Sequence, residues 1–267
     1  MIQNLSELTD KVRALAIEAG GFIREERKKF QRDAIEKKHA HDYVSYVDKE
    51  SEKRIVTCLK ELLPEAGFIA EEGSGSLSDT QEYCWLVDPL DGTTNFIHNN
   101  APYCVSIALR NREELLLGVV YEICRDECFW TYKGAPSYLN GNEIHVSPVT
   151  SLDDSFIALG FPYNSEEYKP MAVHLINSLY GNIAGLRLVG AAAAELCYVA
   201  AGRFEARIEA FIGPWDIAAG TLILQNAGGL VTDFKGEDGF YSGREVLASN
   251  GRIHQDLLKI IDKLQFT

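Results

Sequence analysis

The chain has 267 residues, 46% hydrophobic and 24% charged, with 39 acidic against 26 basic side chains and a net charge of −13. This is an ordinary globular composition, long enough for one large domain or two small ones sharing a core. The acidic balance argues against non-specific binding to nucleic acid or to an anionic membrane, and no apolar run is long enough to span a bilayer.

Residues 3–30 place Leu5, Leu8, Val12, Leu15, Ala19, Phe22 and Ile23 at helical spacing. Residues 1–10, MIQNLSELTD, have no basic start and no apolar core, so no signal peptide is expected. Lys37 and Lys38 follow, and read as surface charge. Residues 49–63 predict a second helix with Asp48 as its N-cap. "GFIAEEGSGSLSDTQEY" then reads as a short strand running into two glutamates and a mobile Gly/Ser-rich loop. From 83 to 147, "YCVSIALR", "ELLLGVVYEI" and "ECFWTYKG" predict an antiparallel meander. After about residue 150, short apolar strands ("SFIALGF", "LRLVG", "FEARIEA", "GGLVTDF", "EVLASN") alternate with helical stretches near 166–180, 191–202, 215–227 and 251–264. That alternation predicts an α/β half. The expected organisation is an N-terminal α+β half, 1–148, and a C-terminal α/β half, 149–267, joined as one compact unit because no Pro-rich linker divides them.

Six cysteines are scattered through the chain without a CxxC pair. Cys124 and Cys128 are the only close pair, and no histidine motif completes a zinc site. The expectation is buried, reduced thiols in a cytoplasmic protein.

Acids stand at four predicted element ends: Asp48 in "DYVSYVD", Glu71 and Glu72 after "GFIA", Asp88 and Asp91 in "WLVDPLDGTTNF", and Asp216 in "GPWDIAAG". A single acid at such a place is usually a cap or a solvated charge. "WLVDPLD" is different, because it drives an apolar strand into two carboxylates. Burying unpaired carboxylates costs several kcal/mol each, so two so close call for a cation. Oxygen ligands without a His/Cys set favour Mg²⁺ or Mn²⁺ over zinc. Pro89 stiffens the turn, which lets the Leu90 carbonyl face the same ion. Gly92 allows close approach, two threonine hydroxyls follow, and the N–H groups of a helix start would attract an anion. Metal carboxylates beside an anion site suggest phosphate chemistry.

"WLVDPLDGTTNF" and "PWDIAAGTLILQNAGGLVTD" resemble the two signatures of the inositol monophosphatase family of Mg²⁺-dependent, lithium-sensitive phosphatases. "GFIAEEG", "DYVSYVD" and "GLRLVGAAAAELCYVAAGRFEARIE" stand in the family's order and spacing, so the resemblance covers nearly the whole chain. Ala70 departs from the usual glycine and Ser45 from the usual threonine; neither change removes a ligand. The resemblance implies a layered αβαβα sandwich of the sugar-phosphatase type. It implies a first magnesium on Glu71, Asp88 and the Leu90 carbonyl, and a second on Asp88, Asp91 and Asp216. Glu71 would also reach a third, weaker ion, while Glu72 is a loop charge. One ion would activate water and the other would neutralise the leaving oxygen. Thr93 would take the water through its hydroxyl, with Asp48 orienting or deprotonating that hydroxyl. The N–H groups of Gly92 and Thr93 would hold phosphate oxygens, while Thr94 and Asn95 shape the turn. Glu209, Asp91 and the Ala192 N–H would meet the alcohol. Trp215 would pack in the core and aim Asp216.

The resemblance therefore implies hydrolysis of a small phosphate ester, myo-inositol monophosphate, by a cytoplasmic homodimer. Related folds act on fructose-1,6-bisphosphate, 3′-phosphoadenosine nucleotides and histidinol phosphate. "DGTTNF" lacks the lysine that the nucleotide and histidinol branches carry after the first threonine, and the chain is short for a regulated fructose bisphosphatase. A reading of another class is an adaptor in transcription complexes, as some bacterial relatives are, acting through protein contacts rather than direct nucleic-acid binding.

Overall fold

The computed structural model describes residues 4–31, 35–39, 42–73, 81–162, 165–243 and 245–263. Its helices are α1 (Leu5–Lys29), α2 (Tyr46–Leu62), α3 (Thr93–His98), α4 (Ser165–Leu179), α5 (Ala192–Ala200), α6 (Pro214–Asn226), α7 (Phe240–Gly243) and α8 (His254–Asp262). Its strands are β1 (Ile35–His39), β2 (Asp42–Ser45), β3 (Gly67–Ala70), β4 (Cys84–Asp91), β5 (Cys104–Arg110), β6 (Leu115–Glu122), β7 (Glu127–Tyr132), β8 (Tyr138–Leu139), β9 (Asn142–Glu143), β10 (Phe156–Leu159), β11 (Gly185–Arg187), β12 (Ala206–Ala210), β13 (Leu230–Thr232) and β14 (Glu245–Ser249).

Seven strands form one sheet in the order β3-β4-β5-β6-β7-β8-β9, and five form another in the order β11-β10-β12-β14-β13. In the first sheet β3 lies parallel to β4, and β4 to β9 run as the expected antiparallel meander. The second sheet is mixed: β10 pairs parallel with β11 and β12, while β14 runs antiparallel to β12 and β13.

Side-chain alternation builds the layers. Trp85, Val87, Val105, Ile107, Leu117 and Val119 face α1 and α2 in one apolar cluster. The opposite-facing Leu86, Ala108, Val120 and Phe129 meet α5, α6 and the inner face of the second sheet, through Val231, Val246 and Ala248. The outer face of that sheet, with Ile157, Leu159, Ile208 and Leu247, packs on Met171, Leu175 and Leu179 of α4 and on Leu257 and Ile261 of α8. The result is the αβαβα sandwich. Gly118 lets the middle layer close on the first sheet: a Cβ there would sit 2.7 Å from the Ala219 carbonyl oxygen of α6.

Local capping explains the helix starts. Asn4 caps α1 by accepting from the Glu7 N–H at 3.1 Å, and Arg27, Lys28 and Lys29 close its negative end. α2 begins earlier than expected, at Tyr46, because its N-cap is Ser45 and not Asp48. Asp48 is the third helical residue and accepts from the Ser45 N–H at 2.9 Å, closing a capping box.

Other features differ from the sequence pattern. "DYVSYVD" enters α2 from the hairpin β1–β2. The two-residue strands β8 and β9 and the four-residue α7 are too short to show a period. Cys124 is exposed and Cys58 half-buried, while the other four thiols are buried as expected. The Gly/Ser-rich stretch 74–80, expected to be mobile, and the side chains of Lys37 and Lys38 lie outside the described residues. No helix among the described residues is long and apolar enough to cross a membrane.

Candidate active site

β4 delivers two carboxylates to one face although they are three residues apart. In a regular strand Asp88 and Asp91 would point to opposite faces. The β4–β5 register shifts between them: Asp88 lies opposite Ser106 and Asp91 opposite Cys104. One extra residue on β4, in the Pro89–Leu90 segment, makes this bulge and turns Asp91 back toward Asp88. Both acids then face the α5/α6 layer, which carries the third. Asp216 stands in the first turn of α6, accepting from the Gly213 N–H at 2.7 Å. One carboxylate oxygen from each of Asp88, Asp91 and Asp216 lies within 4.8 Å of the others.

The trio is oriented by backbone donors. Asp88 Oδ1 accepts from the Leu90 N–H at 2.9 Å. Asp91 accepts from Ala192 N–H at 3.0 Å and Ala193 N–H at 2.7 Å, at the start of α5, and from the Cys104 thiol at 3.2 Å. Burial pushes the Asp88 carboxyl well above the usual carboxylate range, and the charges of Glu71, Asp91 and Asp216 push it further. Asp216, half-buried, is raised to about 8 by desolvation and by Glu71 and Asp91. Asp91 is raised by burial, opposed by its donors and by the nearby charge of Arg207. Desolvated carboxylates that repel one another are a poor arrangement for three anions and a good one for a hard cation. The residues fit Mg²⁺ or Mn²⁺: hard oxygen donors converge, and among the described residues no cysteine or histidine joins the trio as a ligand.

Glu71 is not in this tight trio, but its charge raises Asp48, Asp88 and Asp216 alike, so it stands at the same site. Its N–H bonds the Val87 carbonyl at 3.2 Å, extending β3 alongside β4. Leu90 is buried and its carbonyl accepts from the Thr93 hydroxyl at 3.1 Å. That hydroxyl lies 2.9 Å from Asp48 Oδ1 as well, so the structure brings Thr93 and Asp48 together. Asp48 is 1% exposed; burial raises its pKa, and the bonds from Ser45 and Thr93 oppose this. Gly92 opens α3 with φ of 89°, a left-handed conformation, where a Cβ would lie 3.0 Å from the Pro102 carbonyl oxygen. Asn95 clamps this turn, donating to the carbonyls of Pro102 at 2.8 Å and Val189 at 2.9 Å. Trp215 is only half-buried, and its carbonyl accepts from Ser106 Oγ at 3.2 Å. Strand β5 thus holds the start of α6 through its backbone.

Two residues expected on the alcohol side have protein partners. The Ala192 N–H, expected to face a sugar, is engaged by Asp91. Glu209, expected to meet the alcohol's hydroxyls, is ion-paired with the Nη2 of Arg207, two residues away on β12. A Cβ at Gly160 would run into the Glu209 carboxylate, so a side chain there would displace it. The sequence pattern missed Arg207, Glu195, Gly160 and Cys104. Glu195 and Arg207 carried a readable signal: opposite charges inside the apolar runs "AELCYVA" and "EARIEA" suggest a buried pair.

Comparison with known proteins agrees with this architecture. A family model described as the inositol monophosphatase family matches residues 4–265. Nus factor SuhB of Pseudomonas aeruginosa is 40% identical over 237 residues, covering 85% of this chain and 86% of that protein. The crystal structure of the extragenic suppressor protein suhB from Bartonella henselae superposes with a TM-score of 0.90 at 32% identity, covering 97% of this chain and 99% of that one. Inositol monophosphatase from Anabaena gives 0.86 at 30% identity, covering 98% and 97%. Sequence matched along nearly its whole length and a shared five-layer fold place the chain in the inositol monophosphatase family.

Proposed function

We propose that the chain is a Mg²⁺-dependent phosphomonoesterase that hydrolyses myo-inositol monophosphate to inositol and phosphate. The observation that carries this reading is the convergence of Asp88, Asp91 and Asp216 within 4.8 Å, beside the Thr93–Asp48 pair. Glu71, Asp88, Asp91, Asp216 and the Leu90 carbonyl are the proposed ligands for two or three ions. When bound, Mg²⁺ supplies charge neutralisation at the phosphoryl oxygens and lowers the pKa of water. Thr93 Oγ1 accepts a proton from that water and passes its own toward Asp48 Oδ1, 2.9 Å away. Asp48 suits that task because burial raises its proton affinity above that of an ordinary carboxylate. The Gly92 and Thr93 N–H groups, in the first turn of α3, hold phosphate oxygens. On the alcohol side, Glu209 accepts from ring hydroxyls, Asp91 shares that role, and Ala192 frames the pocket. No covalent protein nucleophile is required, since phosphoryl transfer depends mainly on positioning and electrostatics.

The proposed setting is a cytoplasmic homodimer. A second reading comes from the relatives named Nus factor SuhB. In that reading the chain serves a transcription complex through protein contacts and its phosphatase activity is vestigial. Phosphate release separates the readings when measured over a panel of esters with and without Mg²⁺: myo-inositol monophosphate, fructose-1,6-bisphosphate, a 3′-phosphoadenosine nucleotide and histidinol phosphate. Mg²⁺-dependent turnover highest on the inositol ester supports the first. Turnover highest on another ester reassigns the substrate, and none on any leaves the adaptor reading.

A further inference from the structure

We infer that Arg207 is a positioning residue that fixes Glu209 for hydroxyl recognition and ties it, through Glu195, to the helix start that holds Asp91. This rests on the reading of Glu209 as the alcohol-binding acid.

The contacts form one chain. Arg207 is 1% exposed on β12, the central strand of the second sheet. Its Nε donates to Glu195 Oε2 at 2.7 Å and its Nη2 to Glu209 Oε2. Glu195 is 1% exposed on α5, and its other oxygen, Oε1, accepts from the Gly190 N–H at 2.8 Å. The first residues of that helix, Ala192 and Ala193, donate to Asp91. The guanidinium is rigid and planar, so one side chain fixes the relative position of two carboxylates on different elements. The Glu209 carboxylate lies against Gly160, in the space that a side chain there would fill.

The chemistry follows from what remains. Glu209 spends Oε2 on Arg207 and keeps Oε1 for a substrate. An ionised carboxylate only accepts hydrogen bonds, so it takes hydroxyl donors and repels a second phosphate. Two acids and one arginine leave the local group net negative. The site therefore selects a monophosphate with a free hydroxyl near the ester over a bisphosphate carrying its second charge there. The pairing carries selectivity more than stability, because a buried ion pair adds little net stability over apolar packing.

The test is a double-mutant cycle, R207K against E209Q, read on myo-inositol monophosphate and on an aryl phosphate that offers no hydroxyls. Lysine keeps the charge and loses the planar fork, and thermal midpoints verify that each variant is folded. R207K is expected to raise KM for the inositol ester about tenfold, the scale of one charged hydrogen bond, with kcat little changed. The ratio of kcat/KM between the two esters should fall in R207K and in E209Q. In the E209Q background R207K should add almost nothing, since it acts through Glu209. Independent, additive losses would overturn the role of Arg207 while leaving Glu209 in place. So would equal losses on both esters in R207K alone. An E209Q variant with an unchanged ester ratio would overturn the alcohol-site reading, and this inference with it.

Discussion

Thr93 and Asp216 show how single side chains divide the work. Thr93 Oγ1 lies between Asp48 and the Leu90 carbonyl, and in the proposed mechanism it handles a proton rather than a charge. Thr93→Ala should lower turnover about a hundredfold or more while Mg²⁺ affinity stays nearly intact. Steady-state rates over a Mg²⁺ titration check this; an unchanged rate at saturating Mg²⁺ would remove Thr93 from the mechanism. Asp216 is the opposite case, a charge held against its neighbours. With its pKa near 8, the metal-free protein keeps a proton in the trio at neutral pH. A raised acid pKa stabilises the metal-free fold below the ordinary carboxylate value of 3.8, and that contribution is lost as pH climbs toward 8. Mg²⁺ binding at pH 7 should therefore release protons from the trio, and affinity should weaken as pH falls below 8. Calorimetry in buffers of different ionisation enthalpy measures the release; no buffer dependence at pH 7 would contradict it.

Elements were legible in proportion to their length and period. α1 and the meander announce themselves through repeated apolar spacing, and α6 through Pro214 and Asp216 in its first turn. The start of α2 was misplaced because Ser45 and Asp48 are both good capping residues, and only geometry shows which is the cap and which the third helical residue. The bulge at Pro89–Leu90 is invisible as a pattern, yet it turns two acids three apart onto one face. Glu209 was legible as an acid beside the site, and Arg207 as a buried charge two residues away on the same strand, but the pairing of Arg207 with Glu195 was not, because that contact depends on how β12 lies against α5. The same dependence on packing governs His254, at the start of α8. Thr232 Oγ1 donates to the Asp233 carbonyl at 2.7 Å, so it must accept from His254 Nε2, 2.9 Å away. Nδ1 lies 2.8 Å from the Ser249 hydroxyl, which donates to it when the ring is neutral. Desolvation holds its pKa down to about 4. An unfolded histidine protonates near 6.5, so this stabilisation is complete above that pH and is lost as pH falls toward 4, to at most about 3 kcal/mol. His254→Gln should flatten the acid limb of urea midpoints between pH 6.5 and 4; an unchanged slope would place the acid sensitivity elsewhere.

At the scale of the whole molecule, the site lies where the layers meet. The first sheet supplies Asp88 and Asp91, and α6 supplies Asp216 from the layer shared by both sheets. The proposed division at 148/149 falls between β9, the last strand of the first sheet, and β10, the first of the second. Asn250 donates to the carbonyls of Ser147 at 3.2 Å and Val149 at 2.8 Å, and the Val146 N–H bonds the Ala227 carbonyl at 3.1 Å. The halves should therefore unfold together, with tryptophan fluorescence and far-UV circular dichroism giving coincident midpoints. Separated midpoints would make them independent units. A divalent cation among Asp88, Asp91 and Asp216 is what the phosphatase reading requires. Anomalous scattering from crystals grown with Mn²⁺ tests it directly. The expected result is a manganese peak in contact with all three carboxylates and a second bridged to it through Asp88. A trio holding only protons, with manganese elsewhere or absent, would contradict it.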